Sequence, residues 1–158
     1  MSDQETEMRA DGRQSPAARN IQRGTCRMLR ALGHSMVTEL PLSSGHRADI
    51  VSLARHGEVW IVEIKSCLAD FRADSKWSEY RAHCDRFLFS VDADFPLVNL
   101  PEDAGLIVAD RYGGALMREA PEHRIVGARR KAVMLRFARA AALRLHAIND
   151  PGSLTERG

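Results

Sequence analysis

Three ionisable residues in the first half of the chain have the types and spacing of a hydrolytic site: Asp49, Glu63 and Lys65. They lie in residues 47–67, where two apolar segments flank a His-Gly pair at 56–57 that favours a tight turn. We therefore expect two antiparallel strands, with Glu63 and Lys65 on the same side of the second. Charges at the end of a buried strand are costly unless they are paired or bind a metal, which makes these residues functional candidates.

The chemistry follows from the residue types. If the turn brings Asp49 next to Glu63, the two carboxylates offer the hard oxygen ligands that Mg²⁺ and Mn²⁺ prefer. Water, a backbone carbonyl or a substrate phosphate would fill the other positions, and such an ion polarises a phosphoryl oxygen and activates a bound water. Lys65 would orient that water or stabilise the charge of the transition state. A Glu-x-Lys triplet alone is common on strands, so the surrounding elements decide whether this hypothesis holds.

Those elements are predicted by caps, apolar periodicity and turn residues. Ser15 and Pro16 favour a helix start, and Gly33 favours its end. Glu39, in the strand after that helix, is a further acid near a strand end. In chain order we expect a helix over 16–32, a strand over 35–41, the hairpin, a helix over 70–84, a strand over 85–91 and a strand over 105–110 that turns at 112–114 into another. The strand-helix-strand passage implies parallel pairing.

Two helices carry basic residues with no acid on the same helix to pair with them. On the first, Arg19 and Arg23 belong to a basic stripe. The last helix, over about 127–147, has a two-sided pattern. Its apolar side is formed by Met134, Ala138, Ala141, Ala142 and Leu145, and its basic side by Arg129, Arg136, Arg139 and Arg144. Such faces either contact phosphates or are merely solvated, and the sequence leaves both interpretations open.

Composition limits the class of protein. The 158 residues, 44% hydrophobic and 28% charged, fit one domain over 15–149, with a mobile tail at 1–14 and a loose tail at 150–158. No apolar run approaches the roughly 20 residues that span a bilayer, and the polar N-terminus is unlike a secretory signal. We expect a cytoplasmic protein with no membrane partner and three reduced cysteines. The net charge of +2 does not by itself identify a nucleic-acid partner.

The order of these elements resembles the αβββαβ core of the PD-(D/E)XK nuclease superfamily, over about residues 16–110. Asp49 with Glu63-Ile64-Lys65 would be the signature, and Ala48 stands where many members have proline. A closer resemblance is to the MmcB-like family, regarded as DNA-repair endonucleases. The stretches that carry it are RADI at 47–50, VEIKSC at 62–67, several positions of 70–85 and GLIVADRYG at 105–113.

The resemblance implies an α/β protein with a restriction-endonuclease-like core, in which helices flank a mixed central sheet. It implies DNA as the substrate, Mg²⁺ or Mn²⁺ as the cofactor and a role in the bacterial response to DNA damage, with other repair proteins as potential partners. Position by position, the implied roles are metal ligation by Asp49, Glu63, the backbone carbonyl of Ile64 and Glu39, catalysis by Asp49, Glu63 and Lys65, and an auxiliary role for Lys76 and Tyr80.

Three functions remain open at this point. The first is a Mg²⁺-dependent DNA endonuclease acting in repair. The second is a non-catalytic DNA-binding accessory protein that uses the face of Arg129, Arg136 and Arg139. The third is a protein-interaction module of a repair complex. Because no sequence-reading motif is present, we expect recognition of DNA shape or damage rather than of base sequence.

Overall fold

The structure, a computed structural model, describes residues 14–73 and 77–152. Within those residues lie three α-helices, six strands and two short 3₁₀-helices. In chain order they are α1 (Pro16–Ala31), β1 (Ser35–Pro41), β2 (Arg47–Leu53), β3 (Val59–Ile64), α2 (Leu68–Ala73), the 3₁₀-helix Trp77–His83, β4 (Arg86–Val91), the 3₁₀-helix Leu97–Asn99, β5 (Gly105–Ala109), β6 (Gly114–Arg118) and α3 (Gly127–Asn149).

The six strands form one mixed sheet in the order of the chain. β1, β2 and β3 pair antiparallel, β3, β4 and β5 pair parallel, and β6 returns antiparallel along β5. The predicted α/β class, with helices flanking a mixed central sheet, is confirmed, and the arrangement is consistent with a restriction-endonuclease-like fold. The predicted hairpin and the parallel pairing of the next strand are confirmed as well.

Each face of the sheet has its own hydrophobic core. On one face, Ile21 and Leu29 of α1 pack over alternate strand residues that include Val62. On the other face, β3 and β4 present Ile61 and Phe89 to the 3₁₀-helix Trp77–His83 and to α3. Each fully buried side chain of this size contributes roughly 1.5–3 kcal/mol of transfer free energy. Burial on both faces explains why β3 and β4 are apolar at nearly every position.

α1 begins and docks as its sequence predicts. The hydroxyl of Ser15 accepts the N–H of Ala18 at 3.1 Å, and Gly33, at φ +85°, takes the left-handed conformation that ends the helix. Gly24 lets the helix approach the end of β5 closely, because a Cβ at that position would lie 1.7 Å from the carbonyl oxygen of Asp110. α1 is therefore fixed against the sheet by a close backbone contact.

The single helix predicted over 70–84 is wrong. The chain instead forms α2 and then a 3₁₀-helix, Trp77–His83. Residues three apart share one side of a 3₁₀-helix, so Trp77 and Tyr80 point together at the sheet. Their rings lie 5.8 Å and 6.0 Å from that of Phe87. Aromatic packing has overridden the α-helical spacing that the sequence indicated.

The predicted tails fall almost wholly outside the described residues, which begin at 14 and end at 152. Cys26, Cys67 and Cys84 form no disulfide within the described residues. Of the helices that the structure describes, none is both long and apolar enough to cross a membrane.

Candidate functional site

Asp49 and Glu63 face each other across β2 and β3. The pairing of Ile50 with Val62 sets a register that places the two acids level. The carboxyl group of Glu63 accepts the backbone N–H of Asp49 at 3.0 Å, and the carboxyl group of Asp49 accepts the N–H of Ile64 at 2.8 Å. Each strand thus holds the other through a carboxyl group, which fixes the pair.

The environment of this pair favours a shared proton. Glu63 is only 5% exposed, and burial followed by the charge of Asp49 raises the pKa of Glu63 well above its ordinary value. Burial also raises the pKa of Asp49, although its hydrogen bonds with Glu63 and with the Ile64 N–H oppose the rise. A side-chain hydrogen bond joins the two groups. Without a metal ion, the pair therefore keeps a proton to a higher pH than two isolated carboxyl groups would, and Glu63 is the more strongly shifted of the two.

Lys65 lies directly beyond the end of β3. Its N–H donates to the carbonyl oxygen of Ser90 at 3.0 Å, so the chain still follows β4 at this point. Lys65 is 8% exposed, and its positive charge lowers the pKa of both Asp49 and Glu63. The structure therefore brings together the three residues to which sequence analysis gave a catalytic role.

Glu39 extends the row of acids to a third strand. The β1 residues on either side of it pair with the β2 residues on either side of Asp49, so Glu39 lies level with Asp49. Its φ of +53° is unusual for a residue other than glycine and marks local strain. Its carboxylate pairs with the Arg47 Nε at 2.7 Å and accepts from the Gln14 Nε2 at 3.5 Å. Burial, followed by the charge of Asp49, raises its pKa.

The two central carboxyl groups suit a hard divalent cation. Within the described residues, no group of three or more His, Cys, Asp or Glu side chains could hold a metal ion. Mg²⁺, however, is usually held by one or two carboxylates and completed by water and substrate phosphate. Asp49 and Glu63 supply those carboxylates, and the Ile64 carbonyl is the predicted third oxygen. With one proton bound, the two buried carboxyl groups still carry a negative charge, which a cation would neutralise. The donor set therefore fits a divalent metal ion.

Comparison with known proteins places the chain in a family. A family model described as DNA repair protein MmcB-like matches residues 5–152. The chain belongs to the MmcB-like family. Among solved structures it is similar to the SPO1766 protein of unknown function from Silicibacter pomeroyi, with 42% sequence identity and a TM-score of 0.85. That match covers 88% of this chain and 95% of the other. No curated protein matches the sequence.

In this MmcB-like protein, the 3₁₀-helix Trp77–His83 is hydrogen-bonded to the start of β2 and to the residue before it. The hydroxyl of Tyr80, an auxiliary candidate, donates to the carbonyl oxygen of Arg47 at 3.2 Å, two residues before Asp49. Nearby, the His46 ring hydrogen-bonds the carboxylate of Glu79 at 2.6 Å. Tyr80 thus contacts the strand that carries Asp49. Lys76, the other auxiliary candidate, lies outside the described residues.

α3 docks with much of its basic side toward the protein. Arg144 donates to the carbonyl oxygens of Thr38 and Glu39. Arg136 donates to that of Pro41 at 3.4 Å, and Arg129 contacts the His83 ring at 3.1 Å. β1 is an edge strand, whose outward carbonyl groups need donors, and the arginines provide them. Three of the four arginines on the basic side are therefore bound to the protein.

The other predicted DNA contacts have exposed side chains. Arg139 lies on the solvent side of α3, and Arg19 and Arg23 lie on the outer side of α1. The two α1 arginines line a shallow cavity of about 310 Å³ together with Gln14. Because Gln14 also contacts Glu39, this cavity adjoins the row of acids.

Sequence analysis missed a hydroxyl pair that supports the site from the α1 side of the sheet. The Thr25 and Ser90 oxygens lie 2.7 Å apart, and Thr25 also donates to the carbonyl oxygen of Ile21 at 2.7 Å. The backbone carbonyl oxygen of the same residue, Ser90, accepts the N–H of Lys65. These hydrogen bonds connect α1, β4 and Lys65. The available signal was a single polar residue in the otherwise apolar second half of the strand that ends at Val91.

Proposed function

We propose that this protein is a Mg²⁺- or Mn²⁺-dependent endonuclease that hydrolyses phosphodiester bonds of DNA in repair. The observation that carries the proposal is the buried Asp49–Glu63 pair with Lys65 beside it. Family membership supplies DNA repair as the context. We further propose that Asp49 and Glu63-Ile64-Lys65 form the signature of the PD-(D/E)XK superfamily, in keeping with the observed order of helices and strands.

The residues of the site would have different roles in the hydrolysis. Asp49, Glu63 and the Ile64 carbonyl would hold the divalent ion, which when bound supplies Lewis-acid polarisation of a phosphoryl oxygen. The Lys65 ammonium has three donors, with which it orients the attacking water or neutralises charge on a non-bridging oxygen. Phe89, which pairs with Glu63 in the sheet, limits the access of solvent and so strengthens these interactions.

Binding of the DNA backbone is assigned to exposed basic residues. Arg19 and Arg23 flank the cavity that adjoins the acids, and Arg139 extends the positive surface on α3. Such contacts place phosphates without reading bases, which suits an enzyme that recognises DNA structure or damage. Arg129 and Arg136 were predicted to join them, and their contacts with His83 and Pro41 leave part of their donor capacity for phosphate.

The test is cleavage by the full chain with Mg²⁺ or Mn²⁺ on single-stranded, nicked, gapped and branched DNA. We expect Asp49→Ala and Lys65→Ala each to lower the cleavage rate by about 10²-fold or more, since each removes a group that acts on the reacting phosphate. Lys131→Ala is the matched control, because Lys131 is an exposed lysine on α3, and it should cut at the wild-type rate. Circular dichroism checks that all three variants are folded.

Three outcomes would contradict the proposal. Equal cleavage by wild type, Asp49→Ala and Lys65→Ala would show that the chemistry lies elsewhere. Tight, salt-dependent binding by the wild type without cleavage of any of these substrates would favour the non-catalytic accessory function. Failure to bind any nucleic acid at low salt, combined with a stable protein partner, would favour the interaction module.

A further inference from the structure

A cavity of about 800 Å³ opens at the carboxyl ends of β4 and β5. It is lined by residues that end or follow those strands, by Asn20 and Ile21 near the start of α1, and by Tyr112 in the turn between β5 and β6. Sites for small molecules typically have volumes of roughly 300–1,000 Å³. In open α/β sheets they lie at the carboxyl ends of the parallel strands, as this cavity does.

The candidate catalytic residues lie at the same end of the sheet. β3, β4 and β5 are parallel, so their carboxyl ends lie side by side. Lys65 directly follows β3, and its N–H donates to the carbonyl oxygen of Ser90, two residues before Asp92 of the cavity. Neighbouring strands are separated by about 5 Å. The cavity therefore begins about one strand away from Lys65.

The Tyr112 ring offers the cavity a fixed aromatic surface. Tyr112 is 66% exposed, and the guanidinium of Arg111 lies 4.7 Å from the centre of its ring. The carboxylate of Asp110 accepts the N–H groups of Tyr112 and Gly113 at 2.8 Å and 3.0 Å, and Arg27 of α1 donates to the Tyr112 carbonyl oxygen at 3.3 Å. Exposed aromatic rings accompanied by arginine are the surfaces on which proteins stack unpaired bases.

The charges around the cavity select a neutral occupant. Three carboxylates line it, those of Asp92, Asp94 and Asp110, and they repel a phosphate group. Arg111 also lines the cavity, and Arg23 and Arg27 are exposed on the side of α1 that carries Asn20. These arginines attract phosphates outside the cavity and oppose the entry of a basic peptide. The occupant that fits is a flat, neutral group with N–H donors, attached to a chain of phosphates that stays outside.

We propose that this cavity binds an unpaired nucleobase of DNA, turned out of the base stack and stacked on Tyr112. This rests on the proposed function for DNA as the ligand and adds the class of DNA, a strand with a bulged or mismatched nucleotide, because such a base costs least to extrude. Ile21 and Val108 supply apolar contacts to the base. The carboxylates of Asp92 and Asp94 accept the exocyclic amino group of cytosine or adenine, a donor that thymine lacks.

Fluorescence anisotropy in EDTA measures this binding without metal-dependent cleavage. The probes are a DNA duplex with one bulged cytosine and the same duplex without the bulge. The wild type should bind the bulged duplex about ten-fold more tightly, as expected for the stacking of one base on an aromatic ring. Tyr112→Ala should bind both duplexes equally, and Tyr112→Phe should keep the preference. Met117→Ala is the matched control, because Met117 is similarly exposed, at 60%, but does not line the cavity.

Photocrosslinking identifies the residue that the base contacts. A bulged 5-iododeoxycytidine should crosslink on irradiation to the ring stacked on it, and mass spectrometry of the peptides should identify Tyr112. A bulged thymine should bind several-fold more weakly than a bulged cytosine, because it has no amino group for the carboxylates. Crosslinks only to residues outside the cavity, or equal binding of the two bulges, would contradict the proposed contacts.

A wild type that binds both duplexes equally overturns the proposal, and so does a Tyr112→Ala variant that keeps the preference. If such a protein still cleaves paired DNA, the endonuclease function stands and only the nucleobase site is lost. A preference for the bulge without cleavage of any DNA supports the nucleobase site and contradicts the endonuclease function. Competition by free dCMP as strong as that by the bulged duplex indicates a site for free nucleotides. Binding of an arginine-rich peptide with no preference for the bulge indicates a protein-binding surface, and either result overturns the proposal.

Discussion

At the residue scale, the Asp49–Glu63 pair shows how two buried carboxyl groups avoid mutual repulsion. They can hold a proton between them or bind a cation. Burial and the charge of Asp49 raise the pKa of Glu63 well above its ordinary value, so the metal-free pair keeps a proton to a higher pH than an isolated glutamate would. A cation would displace it, and the site's affinity for metal is therefore linked to pH.

This proton makes the metal-free fold depend on pH. The pKa of Glu63 is raised in the folded state. The favourable contribution of Glu63 to folding stability is therefore fully present below about pH 4.5, and it is lost as the pH rises through the folded pKa. Glu63→Gln imitates the protonated form at every pH. We expect it to raise the free energy of unfolding by about 1 kcal/mol or more at pH ~8 and by little at pH ~4.

Urea unfolding in EDTA at both pH values measures this effect. The control is Glu119→Gln, an exposed carboxyl group in the segment before α3, which should change stability by no more than about 0.5 kcal/mol. If Glu63→Gln is as stable as the wild type at the higher pH, the raised pKa is contradicted. The same variant should also lose Mn²⁺ binding in isothermal titration calorimetry, since an amide is a weaker ligand than a carboxylate.

At the element scale, α3 stabilises the irregular part of β1. The chain takes a positive φ at Glu39, and the guanidinium of Arg144 donates to the carbonyl oxygens of Thr38 and Glu39 at that point. A strained backbone persists only where its surroundings hold it. Arg144 therefore positions the residue that lies level with Asp49, although it sits on a different element.

Replacing this arginine should loosen β1 locally. We expect Arg144→Gln to lower the free energy of unfolding by about 1 kcal/mol, through the loss of charge-assisted hydrogen bonds to the edge strand. Amide hydrogen exchange in β1 should become faster, while exchange in β4 stays unchanged. Arg139→Gln on the solvent side of the same helix is the control, and equal exchange rates in the two variants would contradict the positioning role.

At the scale of the whole molecule, the buried carboxylate of Asp85 joins the C-terminal part of the chain to the sheet through hydrogen bonds. Asp85 accepts the N–H groups of Val59 and Ile125 at 2.8 Å and 3.0 Å, and two N–H groups of Arg130 at 2.8 Å and 2.7 Å. These bonds lower its pKa in spite of burial. Because Arg130 near the start of α3 binds Asp85 and Arg144 near its end binds the backbone of Glu39, this helix connects Asp85 with the edge strand that carries Glu39.

Loss of the charged hydrogen bonds of Asp85 should destabilise the entire fold. We expect Asp85→Asn to cost about 3 kcal/mol, because it leaves Arg130 without its charged partner. The pKa of Asp85 is lowered in the folded state. The contribution of Asp85 to folding stability is therefore present above the unfolded pKa of 3.8, and it is lost as the pH falls through the folded pKa. The deficit of Asp85→Asn should therefore be full at neutral pH and shrink in acid.

Thermal and urea unfolding between about pH 3 and pH 7 measure this deficit. Glu122→Gln is the control, since Glu122 is an exposed acid whose oxygen lies 3.7 Å from Arg86, and exposed pairs contribute little. A deficit that is the same at all pH values would mean that the charge of Asp85 does not matter for stability.

The central hairpin and most strands could be predicted from the sequence because their signals are local. A His-Gly turn between two apolar runs fixes which residues face each other, and the period of two fixes which side Glu63 and Lys65 share. The 3₁₀-helix found at Trp77–His83, where the sequence predicted part of an α-helix, could not be predicted, since aromatic contacts with Phe87 outweigh a weak local preference. The roles of the site residues in catalysis, metal binding or DNA binding all stay predictions, those of Asp49, Glu63 and Lys65 as much as those of Glu39, Lys76, Tyr80 and the arginines.

The sequence by itself determined that two carboxyl groups and a lysine meet at the end of a buried strand, because short turns and alternation act over a few residues. Only the tertiary structure decided what surrounds that site. Asp85 and Arg130 are 45 residues apart, and Arg144 and Glu39 are 105 apart, distances over which no periodicity identifies a partner. The side on which α3 docks was decided in the same way, because the carbonyl groups of an edge strand required donors and the arginines supplied them.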